Sequence, residues 1–170
     1  IERIMLGFNK IVDDNTPSLK KIYKLFLNSF EGGKYIRGTL VKLGFELSNP
    51  SNSSTPSNPS ILKIAAAYEI LHTSLLIQDD VIDRSKIRRG ISTIHSTFKD
   101  SHHGVSQAIC LSDLGFFLAT KIITETNFSS DMKTKIIAHF SETIINTVFG
   151  QMLDIKTSYE KNKKEKDVLT

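Results

Sequence analysis

Apolar residues recur at helical spacing through most of the chain, and no segment alternates like a strand. Ile1, Met5, Phe8 and Val12 predict a helix over residues 1–13, broken by Asp13-Asp14-Asn15-Thr16-Pro17. Leu19, Ile22, Tyr23, Phe26, Leu27 and Phe30 form one side of a second helix, Ser18 to Phe30. Glu31-Gly32-Gly33 punctuates the chain, and a third helix is expected from about Lys34 to Leu47. Residues 48–60 are Ser, Asn, Thr and Pro only, which predicts a flexible loop. Residues 61–84 hold no Gly or Pro and predict one long buried helix, about 36 Å at 1.5 Å per residue. Residues 85–104 read as a partly ordered loop and 105–126 as another apolar helix. Ser129-Ser130-Asp131 offers a cap for a last helix, Met132 to Tyr159, with Ile136, Ile137, Phe140, Ile144, Val148, Met152 and Ile155 in period. The fold class is all-α, in a single domain, followed by a polar Lys/Glu-rich tail over 160–170.

Composition narrows the function classes. Hydrophobic residues make up 39% and charged residues 24% of 170, which suits a packed core and excludes a disordered or fibrous chain. No run of about 18 uncharged apolar residues exists, so no membrane span is expected. The start, Ile1-Glu2-Arg3-Ile4-Met5, has no signal-peptide core and no initiator Met, so the expectation is that preceding residues have been removed. Cys110 is the one cysteine, which excludes an internal disulfide framework and a cysteine zinc site. It fits a reducing compartment, so a cytoplasmic location is expected, with an organelle left open. Net charge is +4 from 22 basic and 18 acidic residues, and these are dispersed. The dense stretch from Lys161 to Lys166 is interleaved with glutamates and reads as a solvated tail, so no nucleic-acid partner is expected.

The strongest chemical signal is Gln78-Asp79-Asp80-Val81-Ile82-Asp83. Asp79 and Asp83 are four apart, which puts their Cβ atoms on one helix face about 5–6 Å from each other. Two such carboxylates suit Mg²⁺, which takes a few carboxylates plus waters and substrate phosphate oxygens. Asp80 points about 100° away and is the weaker metal candidate. Acids at a helix C-terminus oppose the macrodipole, so simple helix termination explains them poorly. Gly32-Gly33-Lys34-Tyr35-Ile36-Arg37 brings glycines into a helix start with two cations one turn apart, a pattern that suits an anion. His72 lies two turns before Asp79 on the same face, and Arg88-Arg89-Gly90 follows the acids by a short loop. Gln151 and Asp154 share a polar stripe of the last helix with Thr147 and Ser158. Each of these has a bland alternative: a core histidine, a surface arginine pair, a solvent face.

Taken in order, Gly32-Gly33-Lys34-x-x-Arg37, His72, Asp79-Asp80-x-x-Asp83, Arg88-Arg89-Gly90 with Thr93 and His95, and Gly150-Gln151-x-x-Asp154 resemble the trans-isoprenyl diphosphate synthase (polyprenyl synthase) family. The resemblance implies an all-helical isoprenoid synthase bundle with a central cavity and homodimer assembly. It implies a prenyltransferase that condenses isopentenyl diphosphate with an allylic diphosphate. Asp79 and Asp83 would hold Mg²⁺ against the allylic diphosphate, and Arg88 and Gln151 would contact the allylic substrate. Lys34, Arg37, His72 and Arg89 would bind isopentenyl diphosphate. Ser74, Leu75 and Leu71, just upstream of Asp79, would wall the shaft that sets product length. Ser74 is expected to leave a gap there, which favours C20 over C15, and Phe116 and Phe117 are candidates for a deeper floor. The sequence departs from the family pattern at Tyr35, Gln78, Ser92 and Ser112, none of them a clamp position. Family members run to about twice this length, and their second half carries a Lys-Thr pair and a second aspartate-rich motif. The expectation is therefore the N-terminal half of a synthase, inactive alone. The alternative is a non-catalytic helical subunit or short paralogue.

Overall fold

The computed structural model describes residues 17–48 and 58–159. The expected first helix and the polar tail lie outside the described residues, as does most of the Ser/Asn/Pro loop. The elements are α1 (Pro17–Asn28), α2 (Ile36–Ser48), α3 (Pro59–Ile82), β1 (Ile87–Arg88), β2 (Ile91–Ser92), a 3₁₀ turn (His95–Thr97), α4 (Ser101–Thr124) and α5 (Ser130–Tyr159). The all-α class holds. Two corrections fall on residues 85–104: they contain a small antiparallel hairpin and a 3₁₀ turn, and α4 starts four residues earlier than the expected Val105.

The chain divides between Asn127 and Phe128 into two compact units. In the first, α3 packs on α4, and α2 and α1 add to them. Asn58 caps α3, its Oδ1 accepting from Ser60 N–H at 2.9 Å, and Pro59 takes the first helical position, where its missing N–H costs nothing. Asp100 caps α4 through His103 N–H at 2.6 Å. Ser60 Oγ then accepts from Asn127 N–H at 3.0 Å, and Lys63 Nζ donates to Glu125 O at 2.9 Å, so the first turn of α3 is tied to the end of α4.

Small residues set how closely α3 and α4 approach. Ala67 and Ala119 are fully buried, as are Ile70, Ile122 and Ile123 around them. A Cβ at Gly115 of α4 would overlap Ser74 Oγ of α3 and come within 3.0 Å of the Phe26 ring. Phe26 of α1 meets Phe30 edge-on at 5.0 Å, an arrangement worth about 1 kcal/mol beyond its burial.

By length and composition α3 and α4 could each cross a membrane, with mean hydropathies of 1.4 and 1.3 over 18 residues. A core helix passes the same test, and 61% of the α3 window is buried inside the protein. The second unit is built on α5, which opens with Ser129 Oγ accepting from Met132 N–H at 3.3 Å and an exposed Asp131–Lys135 pair.

Candidate functional site

The acid cluster sits where α3 stops. Ser85 N–H donates to Asp80 O at 2.9 Å and Arg84 N–H to Val81 O at 3.2 Å, with Arg84 at φ 55°. This is a Schellman closure with arginine in the left-handed position where glycine is usual. The chain then enters the hairpin, pairing Ile87 with Ser92 and Arg88 with Ile91. Its two-residue turn is Arg89-Gly90, at φ 52° and 80°, the left-handed pair of a type I′ turn. Thr93 locks the hairpin to the helix exit, its Oγ1 donating to Ser85 O at 2.7 Å and its N–H to Lys86 O at 3.0 Å.

The hairpin brings Arg88 back onto the acids. Its Nη2 donates to Asp79 Oδ2 at 2.8 Å and its Nε to Asp80 Oδ1 at 2.7 Å. Asp80 is buried, and that burial raises its pKa above the ordinary value, although Arg88 pulls the other way. Asp80, the weaker metal candidate, thus has Oδ1 engaged by Arg88 and is buried, while Asp79 has only its Oδ2 engaged. Asp79 keeps a partly exposed carboxylate, and Asp83, the residue that caps α3, is exposed.

The expected cations come from three separate segments. Gly32, at φ 69°, and Gly33 pass over Arg89, and a Cβ on Gly33 would lie 3.1 Å from Arg89 Nη1. Tyr35, at φ 50°, closes this loop by donating its hydroxyl to Phe30 O at 2.9 Å. Lys34 and Arg37 are exposed at the start of α2. His72 of α3 is half-buried, and its pKa lies below the ordinary value. Burial is the main cause, followed by the charge of Arg37; Glu69 opposes, and Arg89 and Arg88 lower it further. Arg37, His72, Arg88 and Arg89 therefore share one electrostatic neighbourhood, with the Asp79 carboxylate at its edge.

A cavity of about 230 Å³ lies between the end of α1, α3 and the hairpin, with Leu25, Ile77, Ile94, Asp80, Arg88 and Arg89 in its wall. Asp79, Asp83 and His72 do not line it.

The residues expected to control product length are placed differently from the expectation. Ser74 is fully buried: its Oγ donates to Ile70 O at 2.9 Å and its carbonyl accepts from Ser112 Oγ at 3.0 Å. The expected gap at Ser74 is closed by the backbone of Gly115. Leu71 is also buried, while Leu75 stays partly exposed. Phe117 is 77% exposed, and Phe116 is half-buried. Gln151 lies on α5 in the second unit and is partly exposed. Sequence reasoning missed Glu69, whose signal was a lone carboxylate within an apolar helix.

Among the described residues, no three His, Cys, Asp or Glu side chains form a metal-holding group. Asp79 and Asp83 still offer two hard oxygen donors one turn apart with solvent access. That donor set fits Mg²⁺, which needs only one or two carboxylates when waters and phosphate oxygens complete its shell.

Comparison with known proteins agrees with this arrangement. The chain is 27% identical to geranylgeranyl diphosphate synthase of Sulfolobus acidocaldarius over 95% of its own length and 49% of that protein's. It is 31% identical to geranylfarnesyl diphosphate synthase of Methanosarcina mazei, covering 85% of the chain and 42% of the relative. Among solved structures, geranylgeranyl pyrophosphate synthase of Corynebacterium glutamicum, complexed with isoprenyl diphosphate and magnesium, superposes with a TM-score of 0.86. The identity is 24%, over 98% of this chain and 50% of that one, which speaks for the fold. The chain thus spans about half the length of the curated relatives it matches. The polyprenyl synthetase family profile matches residues 17–170, nearly the whole chain, and the chain belongs to that family.

Proposed function

We propose that the chain supplies one diphosphate-binding wall of a Mg²⁺-dependent trans-prenyltransferase. The enzyme condenses isopentenyl diphosphate with an allylic diphosphate into a longer trans-polyprenyl diphosphate, C20 favoured over C15. The observation that carries this reading is geometric: Arg89 Nη1 lies 3.1 Å from where a Gly33 Cβ would sit, next to the turn that bears Lys34 and Arg37, while Arg88 reaches Asp79 Oδ2 at 2.8 Å. Arg88 is paired with Asp79 and Asp80, whereas Arg37 and Arg89 have no ion-pair partner among the described residues, and two such arginines suit a multiply charged anion. The relatives' names, geranylgeranyl and geranylfarnesyl diphosphate synthase, support a product longer than C15. A homodimer in the cytoplasm is the proposed setting.

Lys34, Arg37, His72 and Arg89 would hold the isopentenyl diphosphate, and Arg88 and Gln151 the allylic substrate. Asp79 and Asp83 would hold Mg²⁺, which supplies charge neutralisation for the departing diphosphate. Arg88 adds a fixed positive charge where negative charge develops as the allylic C–O bond breaks and its electron pair leaves with the diphosphate. The isopentenyl double bond then forms the new C–C bond, and a proton passes to the released diphosphate. In the unliganded chain Arg88 is held by Asp79 and Asp80, so anion binding has to compete with those carboxylates.

A second reading is a non-catalytic subunit that binds diphosphates or a partner synthase, since the chain spans about half the length of the relatives it matches. Product analysis on the complete protein carrying this chain separates the two. Extension of a C15 diphosphate to C20 supports the enzyme, with kcat lost by orders of magnitude in Asp79→Ala and KM for isopentenyl diphosphate raised in Lys34→Ala or Arg89→Ala. Near-normal kcat in Asp79→Ala would remove the metal assignment. No turnover by the complete protein would leave the subunit reading. The 170-residue chain alone is expected to be inactive.

A further inference from the structure

Glu69 is a buried carboxylate, 7% exposed, in the middle of α3. Its Oε1 accepts from the N–H of Gly38, 31 residues away, at 2.7 Å. Gly38 is the third residue of α2, so its N–H has no acceptor within the helix and needs one from outside. A carboxylate there also meets the positive end of the helix dipole. The seat is tight: a Cβ on Gly38 would lie 3.1 Å from Ala65 O and 3.2 Å from Glu69 Cγ. Gly38 is the buried residue of α2, whose Ile36, Leu40, Leu43 and Leu47 are all exposed. This contact therefore anchors a helix with little other burial.

What the anchored turn carries gives the contact its meaning. Arg37 directly precedes Gly38, and Lys34 lies just before the helix. His72 follows Glu69 by three residues, on the same face of α3. Arg37 and Glu69 both act on the His72 ring, in opposite directions.

We propose that Glu69 is a positioning residue, which pins the cation-bearing first turn of α2 against His72 and so sets how tightly the cluster holds a diphosphate. The link to anion affinity rests on the diphosphate reading above. The pinning itself rests only on the Glu69–Gly38 contact.

The test uses the complete protein carrying this chain and its Glu69→Ala, Glu69→Gln and Gly38→Ala variants. Amide hydrogen exchange reads the position of α2, and calorimetric titration with inorganic pyrophosphate and Mg²⁺ reads the cluster. Glu69→Ala is expected to speed exchange at residues 36–41 and weaken pyrophosphate binding, each on the order of tenfold, while α3 and α4 stay protected. Gln keeps an oxygen acceptor for the Gly38 N–H, so Glu69→Gln should stay within about threefold of the wild type on both readouts. Unchanged exchange at Gly38 in Glu69→Ala overturns the proposal, and so does a Glu69→Gln variant as damaged as the alanine. If Glu69→Ala unfolds the whole chain, Gly38→Ala decides. It crowds the same seat without removing a polar group, and wild-type exchange there is the overturning result. A wild type that does not bind pyrophosphate removes the diphosphate reading, and the exchange arm then judges Glu69 by itself.

Discussion

Arg88 Nε donates to the buried Asp80 Oδ1 at 2.7 Å, and the same guanidinium reaches Asp79 Oδ2 at 2.8 Å through Nη2. One planar fork thus holds two neighbouring acids of the DDxxD segment in different ways. Asp80 is out of solvent and has Arg88 as its ion-pair partner, whereas Asp79 is partly open and can exchange Arg88 for another cation. Arg88→Ala should therefore act mostly through Asp80. Leaving that carboxylate buried and unpaired is expected to cost about 2–3 kcal/mol in urea unfolding, toward the low end because Arg88 itself is one-third exposed. Adding Asp80→Asn should recover about half of the loss, since it removes the stranded charge. Arg88→Lys should rescue only in part, because an ammonium cannot present two directed donors to two carboxylates. Equal stability of Arg88→Ala and wild type would mean that water replaces the arginine without cost.

His72 predicts a pH dependence with a definite sign. Its folded pKa is lowered from 6.5, by burial first and then by Arg37, with Arg89 and Arg88 adding to the effect and Glu69 opposing. The unfolded chain then takes up a proton near pH 6.5 that the folded chain still refuses. Stability from this group is complete above pH 6.5 and is lost as pH falls from there toward the lower folded pKa. Chemical denaturation at a series of pH values should show this decline, and His72→Asn should flatten it. A variant profile parallel to wild type through that range would assign the decline to other groups.

Ser74 shows why burial has to be known before a motif position is given a role. As a sequence position five residues before Asp79 it reads as a small wall residue with room beside it. In the fold that room is occupied by Gly115 and the Phe26 ring. Ser74→Phe is therefore expected to destabilise the chain by more than about 3 kcal/mol, an overpacking cost at the upper end, before it can alter any product. Gly115→Ala should destabilise too, because its Cβ overlaps Ser74 Oγ, and Ser74→Gly in the same chain should relieve much of that clash. Thermal unfolding of the single and double variants checks both. A Ser74→Phe chain with wild-type Tm would restore the open-shaft reading.

The helices were legible because their signal is periodic and local: the end of α3 was expected at 84 and falls at Ile82, and α5 was expected from Met132 and starts at Ser130. The hairpin was not. Its strands have two residues each, too few to show alternation, and its turn is Arg89-Gly90 rather than the Asn-Gly or Asp-Gly that announces a type I′ turn. The cation cluster was legible as a set of motifs, but its internal pairing was not. Which of three aspartates faces Arg88 depends on the path of that hairpin. Glu69 was overlooked for a related reason: its partner is a backbone N–H on another helix, and a backbone group leaves no mark in the sequence.

The backbone at the two ends of the acid cluster gives a final prediction. Arg84 and Arg89 both hold left-handed φ, 55° and 52°, in places where the local geometry asks for glycine or asparagine. Each costs about 1 kcal/mol relative to a residue at ease there, a cost that persists in nature where the side chain serves a purpose. Arg89 has a visible one: its guanidinium lies under Gly33, and its charge bears on His72. Among the described residues the Arg84 side chain makes no such contact. Arg84→Gly and Arg89→Asn should thus both raise stability, each by about 0.5–1 kcal/mol. They should part in binding. Arg89→Asn is expected to weaken pyrophosphate affinity by on the order of tenfold through loss of a charge-assisted contact, and Arg84→Gly to leave it unchanged. Urea unfolding and calorimetry on the same two proteins make the comparison. Loss of affinity in both variants would mean that the turn geometry, and not the Arg89 side chain, controls the site.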